Sequence, residues 1–249
     1  MTDRLHEYDI IWRRKPVLRA IYQDCYRMIV SRLRPGGTLE IGGGVGNLKA
    51  YSPGIVSLDI QFASWLDVVA DAHRIPFSSG SFDNIVMFDV LHHLENPLWF
   101  LIEARRILRS GGRLIVCEPA ITPISYLFYK LFHPEPVRIG EDPLTDHGPP
   151  KGRDPYHANQ AIPTRLFVWD RSRLEQAVPG FRVGEVKMFS LLAYPLSGGF
   201  RSWSMLPVSF VKPLLRWEER LLPFLGRVAA FRLLGVIEAE ELPGEIRNP

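Results

Sequence analysis

Nine residues, LEIGGGVGN from Leu39 to Asn47, constrain the fold more than any other stretch of the chain. The β-prone residues Thr38, Leu39 and Ile41 empty directly into Gly42, Gly43, Gly44 and Gly46, and Pro35-Gly36-Gly37 marks a turn just before them. A short apolar strand that ends in glycines brings bare main chain against a ligand, because residues without Cβ atoms let the backbone approach closely. Open parallel sheets bind their ligands in this way, outside the carboxyl ends of the strands. A dinucleotide-binding loop would require Gly-x-Gly-x-x-Gly, so that a helix N-terminus meets a pyrophosphate. Here the pattern from Glu40 is acid-x-Gly-x-Gly-x-Gly, and Asn47 stands where the last glycine would be needed. The spacing disfavours NAD.

The flanking segments alternate in the same sense. Val17, Ile21, Cys25, Met28, Ile29 and Leu33 recur at helical spacing before the glycine-bearing strand. A short helix to Tyr51, a break at Pro53-Gly54 and a strand from Ile55 to Leu58 closed by Asp59 follow the loop. Val68-Val69 reads as a third short strand, and the segment from Phe82 to Phe88 as a central one. A helix from Pro97 to Leu108 stops at Gly111-Gly112, and Leu114 to Cys117 forms the next buried strand before Glu118-Pro119. Tyr126 to Phe132 reads as a helix, His133 to Pro163 as a long irregular loop, and Leu166 to Trp169 as a short strand. Helix Arg171 to Val178 and strands Arg182 to Phe189 and Phe231 to Ile237 restore the rhythm. The alternation predicts an α/β fold with a doubly wound, mostly parallel sheet.

Composition bounds the function. At 249 residues and 46% hydrophobic content the chain can fill one sizeable core, so a single domain over 1–249 is expected. A net charge of +3 without a long basic block does not imply nucleic acid. Asp3, Glu7 and Asp9 interrupt the N-terminus where a secretory signal needs an apolar core, and no uncharged run reaches the roughly 18 residues of a membrane span. A cytoplasmic chain is expected. Cys25 and Cys117 match no metal or redox spacing and read as buried thiols.

Four motifs in order then carry a resemblance. LEIGGGVG, Asp59 at the end of the second strand, ADAHRIPF from Ala70 to Phe77, and FDNIVMFDVLHHL followed by RILRSGGRLIVCEP together cover roughly residues 36 to 119. As an ordered set they resemble the class I S-adenosylmethionine-dependent methyltransferases of the type 11 group. The resemblance implies a Rossmann-like, mostly parallel seven-stranded sheet with an antiparallel last strand and inserts after strands five and six, a cosubstrate-binding core over 16–119, and acceptor-side inserts, or a lid, over 120–165 and 191–228. It implies S-adenosylmethionine as cosubstrate and S-adenosylhomocysteine as product. It also implies cosubstrate contacts from Glu40, Gly42, Gly43, Gly44, Gly46, Asp59, Ile60, Asp71, Ala72 and Asp89. In these roles Asp59 accepts the ribose hydroxyls with its paired carboxylate acceptors, Asp71 reaches the adenine amino group, and the Ala72 nitrogen lies at the ring edge. Glu40 either braces the loop or lies near the ammonium and sulfonium, and Asp89 borders the methionine end.

Methyl transfer to oxygen or nitrogen also removes a proton, so a base is useful but not obligatory. The candidates are His93, His147 and His157, with Asp146 and Tyr156 beside the latter two. His92 and His93 are adjacent, and on a helix neighbouring side chains point about 100° apart, so at most one is expected to face the site. His133, Glu135, His147 and His157 lack a metal-ligand spacing, and no metal is expected. DNA acceptors are disfavoured, because an Asn/Asp-Pro-Pro-aromatic sequence is missing after the fourth strand, where FDVLHHL stands.

The expected acceptor is a small molecule or one that is glycan- or lipid-linked. HANQAIPTRLF loosely resembles a segment of methyltransferases associated with bacterial glycan assembly. Between Arg201 and Gly235 six Lys or Arg face two Glu, and Phe210, Leu214, Trp217, Leu221, Phe224 and Val228 form an apolar stripe. That stripe reads as a core-covering face with a snorkelling basic edge, or as a peripheral membrane contact through 203–228. The alternative to an enzyme is a non-catalytic S-adenosylmethionine-binding or membrane-surface scaffold.

Overall fold

The computed structural model describes residues 4–149, 151–152 and 154–241. Seven strands form one sheet: β1 (Thr38–Ile41), β2 (Val56–Asp59), β3 (Val68–Val69), β4 (Phe82–Phe88), β5 (Leu108–Pro119), β6 (Phe181–Phe189) and β7 (Arg232–Ala239), in the order β3-β2-β1-β4-β5-β7-β6. The pairs β1/β2, β1/β4, β2/β3 and β4/β5 are parallel. Only β7 runs against its neighbours, paired antiparallel with both β5 and β6. The expected mostly parallel sheet with an antiparallel last strand is therefore present. Every residue of β1 is buried and β4 is nearly so, as strands covered on both faces require.

Alternation along β5 divides the core between the two faces. Leu114 and Val116 join Leu39, Ile41, Ile85 and Phe100 on one side, while Ile115 and Cys117 join Leu18, Ile29 and Leu234 on the other. Two helices precede the sheet, α1 (Arg4–Arg14) and α2 (Pro16–Val30), and α3 (Pro97–Ile107) and α4 (Pro123–Phe132) follow β4 and β5. Pro97 and Pro123 sit in the first turns of α3 and α4. The Asn96 side chain caps α3, and Thr122 and Ser125 form a reciprocal capping box on α4. Those caps start α4 three residues before the aromatic run that marks it in the sequence. Beyond them lie α5 (Ile162–Thr164), α6 (Arg171–Ala177), α7 (Ala193–Ser197) and α8 (Val208–Ala229). Among the described residues no helix is long and apolar enough to cross a membrane.

Two expectations are corrected. Residues 165–169 form a π-helical turn, not a strand. Leu166 and Phe167 are buried while Val168 and Trp169 are exposed, a two-in, two-out pattern that a pleated strand cannot produce. Phe167 also packs so closely on Gly235 of β7 that a Cβ there would lie 2.5 Å from its ring. The second correction concerns α8. Phe210, Trp217, Phe224 and Val228 point outward, and the buried positions are Val211, Glu218 and Gly226. Glu218 sets this orientation: its carboxylate accepts from the Leu192 and Ala193 amides at 2.5 and 2.6 Å, satisfying the donors at the start of α7.

Candidate functional site

The carboxyl ends of β1, β2 and β4 open into a cavity of about 720 Å³. Its floor is the glycine loop. The Gly42 and Gly43 amides both donate to the Leu58 carbonyl, at 2.8 and 2.9 Å, which pins the loop to β2. Gly42 has φ +71°, and a Cβ on it would lie 2.2 Å from a Val90 methyl carbon. Only glycine fits at that position. Gly44 differs: a Cβ there would meet nothing closer than the Gly42 carbonyl at 3.7 Å, so the space beside it is open cradle. Gly42, Gly43 and Gly44 line the cavity. Gly46 does not, and instead lies under Trp65, whose indole donates to the Gly44 carbonyl at 2.8 Å.

Carboxylates surround this loop. Asp59 accepts from the Gly44 amide with Oδ2 at 3.0 Å and from the Gln61 amide with Oδ1 at 2.9 Å, and burial raises its pKa. Glu40 accepts from the Ser57 hydroxyl at 2.7 Å, and burial raises it to about 7, so it sits at the edge of ionisation. Asp71 lies 2.6 Å from His73 Nδ1, and that hydrogen bond holds its carboxyl below the usual range. Ile60, Asp71, Ala72 and Asp89 also line the cavity. Asp89 adopts φ +55° and takes two partners, the Tyr22 hydroxyl at 3.1 Å and Arg232 at 2.6 Å.

Histidines line the same cavity. His92 and His93 both line the cavity, contrary to the expectation that only one can. They lie on a tight three-residue turn, Leu91–His93, with ring centres 4.1 Å apart and planes tilted by 39°. Glu118 fixes His92: its Oε2 is 2.6 Å from Nδ1, while Oε1 accepts from the Val90 and Leu91 amides at 2.8 Å each. Glu135 Oε2 lies 3.5 Å from His92 Nε2. Burial alone would depress His92, but the two carboxylates raise it to about 10. His93 is half-buried; desolvation and then the neighbouring imidazolium lower it to about 4, and its Nδ1 lies 3.2 Å from the His157 carbonyl. His147 is exposed, and His157 turns its ring to Arg138 at 3.1 Å; neither side chain lines the cavity. His92, His93 and Glu135 bring one potential ligand atom each within 4.8 Å of one another, spacing that can hold a divalent cation. His92 is already committed to two carboxylates as an imidazolium.

This pairing predicts a pH dependence of stability. A histidine raised from its ordinary value of about 6.5 to about 10 stabilises fully below the lower value, and that contribution is lost as pH climbs through the upper one. Burial pushes Glu135 up but its histidine neighbours prevail and pull it to about 2, so its contribution is present above about 4.5 and lost as pH falls towards 2. The melting temperature should fall between pH 7 and 10, by roughly 2–4 °C per kcal/mol lost. His92→Asn should flatten that slope in calorimetry at fixed ionic strength, and an unchanged slope would remove the imidazolium from the account.

Several lining residues were not singled out by motif. Tyr8 and Leu5 reach the cavity from α1, whose Leu5, Tyr8 and Trp12 carry a three-and-four spacing in the sequence. Gln61, next to the Asp59 corner, donates to the Tyr156 hydroxyl at 2.9 Å and ties the long insert to β2. Gln160 is buried and bonded through Nε2 to Glu135, while its Oε1 has no partner among the described residues. A shielded acceptor lining a cavity calls for a donor on whatever binds there.

The comparisons agree with this geometry. A family model described as a methyltransferase domain matches residues 39–116. Demethylmenaquinone methyltransferase of Tropheryma whipplei is 48% identical over 44 residues, 18% of this chain, and the chain spans only 18% of that protein's length. In fold, the chain is similar to a Thermotoga maritima protein described as an S-adenosylmethionine-dependent methyltransferase and possible histamine N-methyltransferase, with TM-score 0.55 at 18% identity, covering 94% of this chain and 99% of that one. It is likewise similar to an S-adenosylmethionine-dependent methyltransferase of Archaeoglobus fulgidus, with TM-score 0.55 at 14% identity, covering 88% and 94%. The open cradle beside Gly44 fits a ligand that needs close main-chain approach. The match to the methyltransferase domain model runs from β1 into β5, over residues 39–116, and the likeness to the solved structures is one of fold.

Proposed function

We propose that the protein transfers a methyl group from S-adenosylmethionine to a small-molecule or glycan- or lipid-linked acceptor. The observation that carries this reading is the division of one cavity between two sets of residues. Gly42 to Gly44, Asp59, Asp71 and Asp89 line it from the sheet's strand ends and the loops that follow them, and Phe132, Glu135, Tyr156, Gln160, Phe200 and Trp203 line it from the later segments. Bound S-adenosylmethionine supplies an activated methyl on a sulfonium, open to in-line displacement. Asp59 keeps lone pairs beyond those given to its two backbone donors, enough for a diol. Glu40, close to its titration midpoint, gains from ionising beside a cation.

On the acceptor side the inserts 120–165 and 191–228 supply aromatic rings beside a polar cluster, a combination suited to a polyhydroxylated ring. Gln160 Oε1 can take a donor hydrogen from such an acceptor. His93 stays neutral across the physiological range and lines the cavity, so it can align an acceptor by hydrogen bonding rather than hold its proton.

Isothermal calorimetry with S-adenosylmethionine and S-adenosylhomocysteine tests the first half, with dissociation constants in the micromolar range expected, about −8 kcal/mol. Correctly folded protein that releases no heat with either would end the proposal. Incubation with a methyl-deuterated cosubstrate and cell extract, read by mass spectrometry, tests the second. Binding without label in any acceptor would leave the non-catalytic scaffold.

A further inference from the structure

The outward stripe of α8 is exposed at every position but Leu221, which is half-buried. Phe210, Pro213, Trp217, Leu221, Phe224 and Val228 recur at spacings of three and four, so they share one face of the helix. Phe224 is 80% exposed and Phe210 61%. Lys212, Arg216, Arg220 and Arg227 recur at four and seven and occupy the neighbouring face, all exposed. The negative charge that would balance them is largely elsewhere. Glu218 is buried on the α7 amides, and Glu219 is the one exposed acid on this helix.

Two further features adjoin the stripe. An apolar groove of about 590 Å³ runs along its start, lined by Leu196, Leu206, Pro207, Phe210, Pro213 and Leu214. Phe132 at the end of α4, together with Trp203 and Met205, lines the main cavity while lying exposed on the outside. Helix α4 touches α8 and adds exposed Ile124, Leu127 and Leu131. The cavity mouth therefore opens onto an apolar zone with a cationic border.

We propose that this face docks on the surface of an anionic lipid bilayer, with α8 lying in the interface. An apolar stripe rich in Trp and Phe beside a row of Lys and Arg is the chemistry of an interfacial helix: the rings enter the acyl boundary and the cations meet anionic headgroups. Charge selects the occupant. Self-association through this face would bring two basic rows together, whereas a bilayer carrying negative headgroups complements them. The docking does not depend on methyl transfer.

Flotation of the full chain with vesicles provides the test, using phosphatidylcholine alone and phosphatidylcholine mixed with phosphatidylglycerol. The protein should float with the mixed vesicles, bind pure phosphatidylcholine at least tenfold less, and release as salt is raised. Trp217→Ser with Phe224→Ser should reduce partitioning at least tenfold, as should Arg216→Glu with Arg220→Glu. All four side chains lie outside the cavity and are exposed, so melting temperature and calorimetric binding of S-adenosylmethionine serve as controls that must not move. Absence of flotation, or flotation indifferent to both double variants, would overturn the proposal. So would a concentration-dependent dimer in sedimentation that the Trp217 and Phe224 substitutions dissolve while vesicle binding stays at background.

Discussion

Asp89→Ala is expected to destabilise the protein by about 3 kcal/mol, the lower end of the range for stripping one partner from a buried ion pair. Arg232 is 1% exposed, and its one charged partner among the described residues is Asp89, at 2.6 Å. Its Nε and Nη1 have no hydrogen-bond partner among the described residues, and its guanidinium lies 5.0 Å from the Phe88 ring centre and 4.8 Å from that of Tyr194. Removing the carboxylate leaves a buried cation without a compensating charge. The Asp89 side chain keeps 25% exposure at the cavity wall, so solvent softens the loss. Melting should fall by roughly 6–12 °C. Because Asp89 holds φ +55°, alanine adds a conformational cost of about 1 kcal/mol, which Asp89→Asn largely avoids while still removing the charge. The double variant Asp89→Asn with Arg232→Met should recover much of the stability, since an apolar side chain suits a buried slot better than an unpaired cation. An Asp89→Asn protein that melts like the wild type would show that Arg232 does not depend on this carboxylate.

That ion pair also marks where reading the chain stops. Asp89 is visible in the sequence because it ends a strand that the glycine motif makes central. Arg232 is not, because its partner lies 143 positions away, and it counts there only as one more surface cation. The glycine loop, the Asp59 corner and the strand sequence through β5 are legible because their signals are local: apolar runs of strand length, punctuated by Gly and Pro. The π-helical turn at 165–169 misleads for the converse reason, since four apolar residues in a row fit a strand or a buried helical turn equally well. The orientation of α8 depends on Glu218 reaching amides at 192 and 193, a tertiary contact that reverses which stripe of the helix is covered. His92 is similar. Its partner Glu118 sits 26 residues on, and only the parallel pairing of β4 with β5 brings them together.

The second large effect is expected at Asp59, where Asp59→Ala should weaken S-adenosylmethionine binding at least tenfold, a loss of about 1.4 kcal/mol or more. Asp59 stands at the carboxyl end of β2, and each of its oxygens already accepts one backbone amide, from Gly44 and from Gln61. Those bonds place the carboxylate against the glycine loop with acceptor capacity left for a ribose diol. Alanine therefore removes two things, the diol's acceptors and the anchor that holds Gly44 in position. Asp59→Asn separates them. The amide keeps one oxygen acceptor and nearly the same shape, so the loop stays anchored on at least one side while the charge and the paired acceptors are lost. If diol recognition dominates, the asparagine and alanine variants lose affinity to a similar degree and both remain folded. If anchoring dominates, the asparagine variant retains most of the affinity. Competition between S-adenosylmethionine and methionine, which lacks the ribose, provides the internal check: the variants should lose affinity for the nucleoside-bearing ligand and not for the amino acid. Wild-type affinity in both variants would place the cosubstrate away from this strand end, and the cradle beside Gly44 would need another occupant.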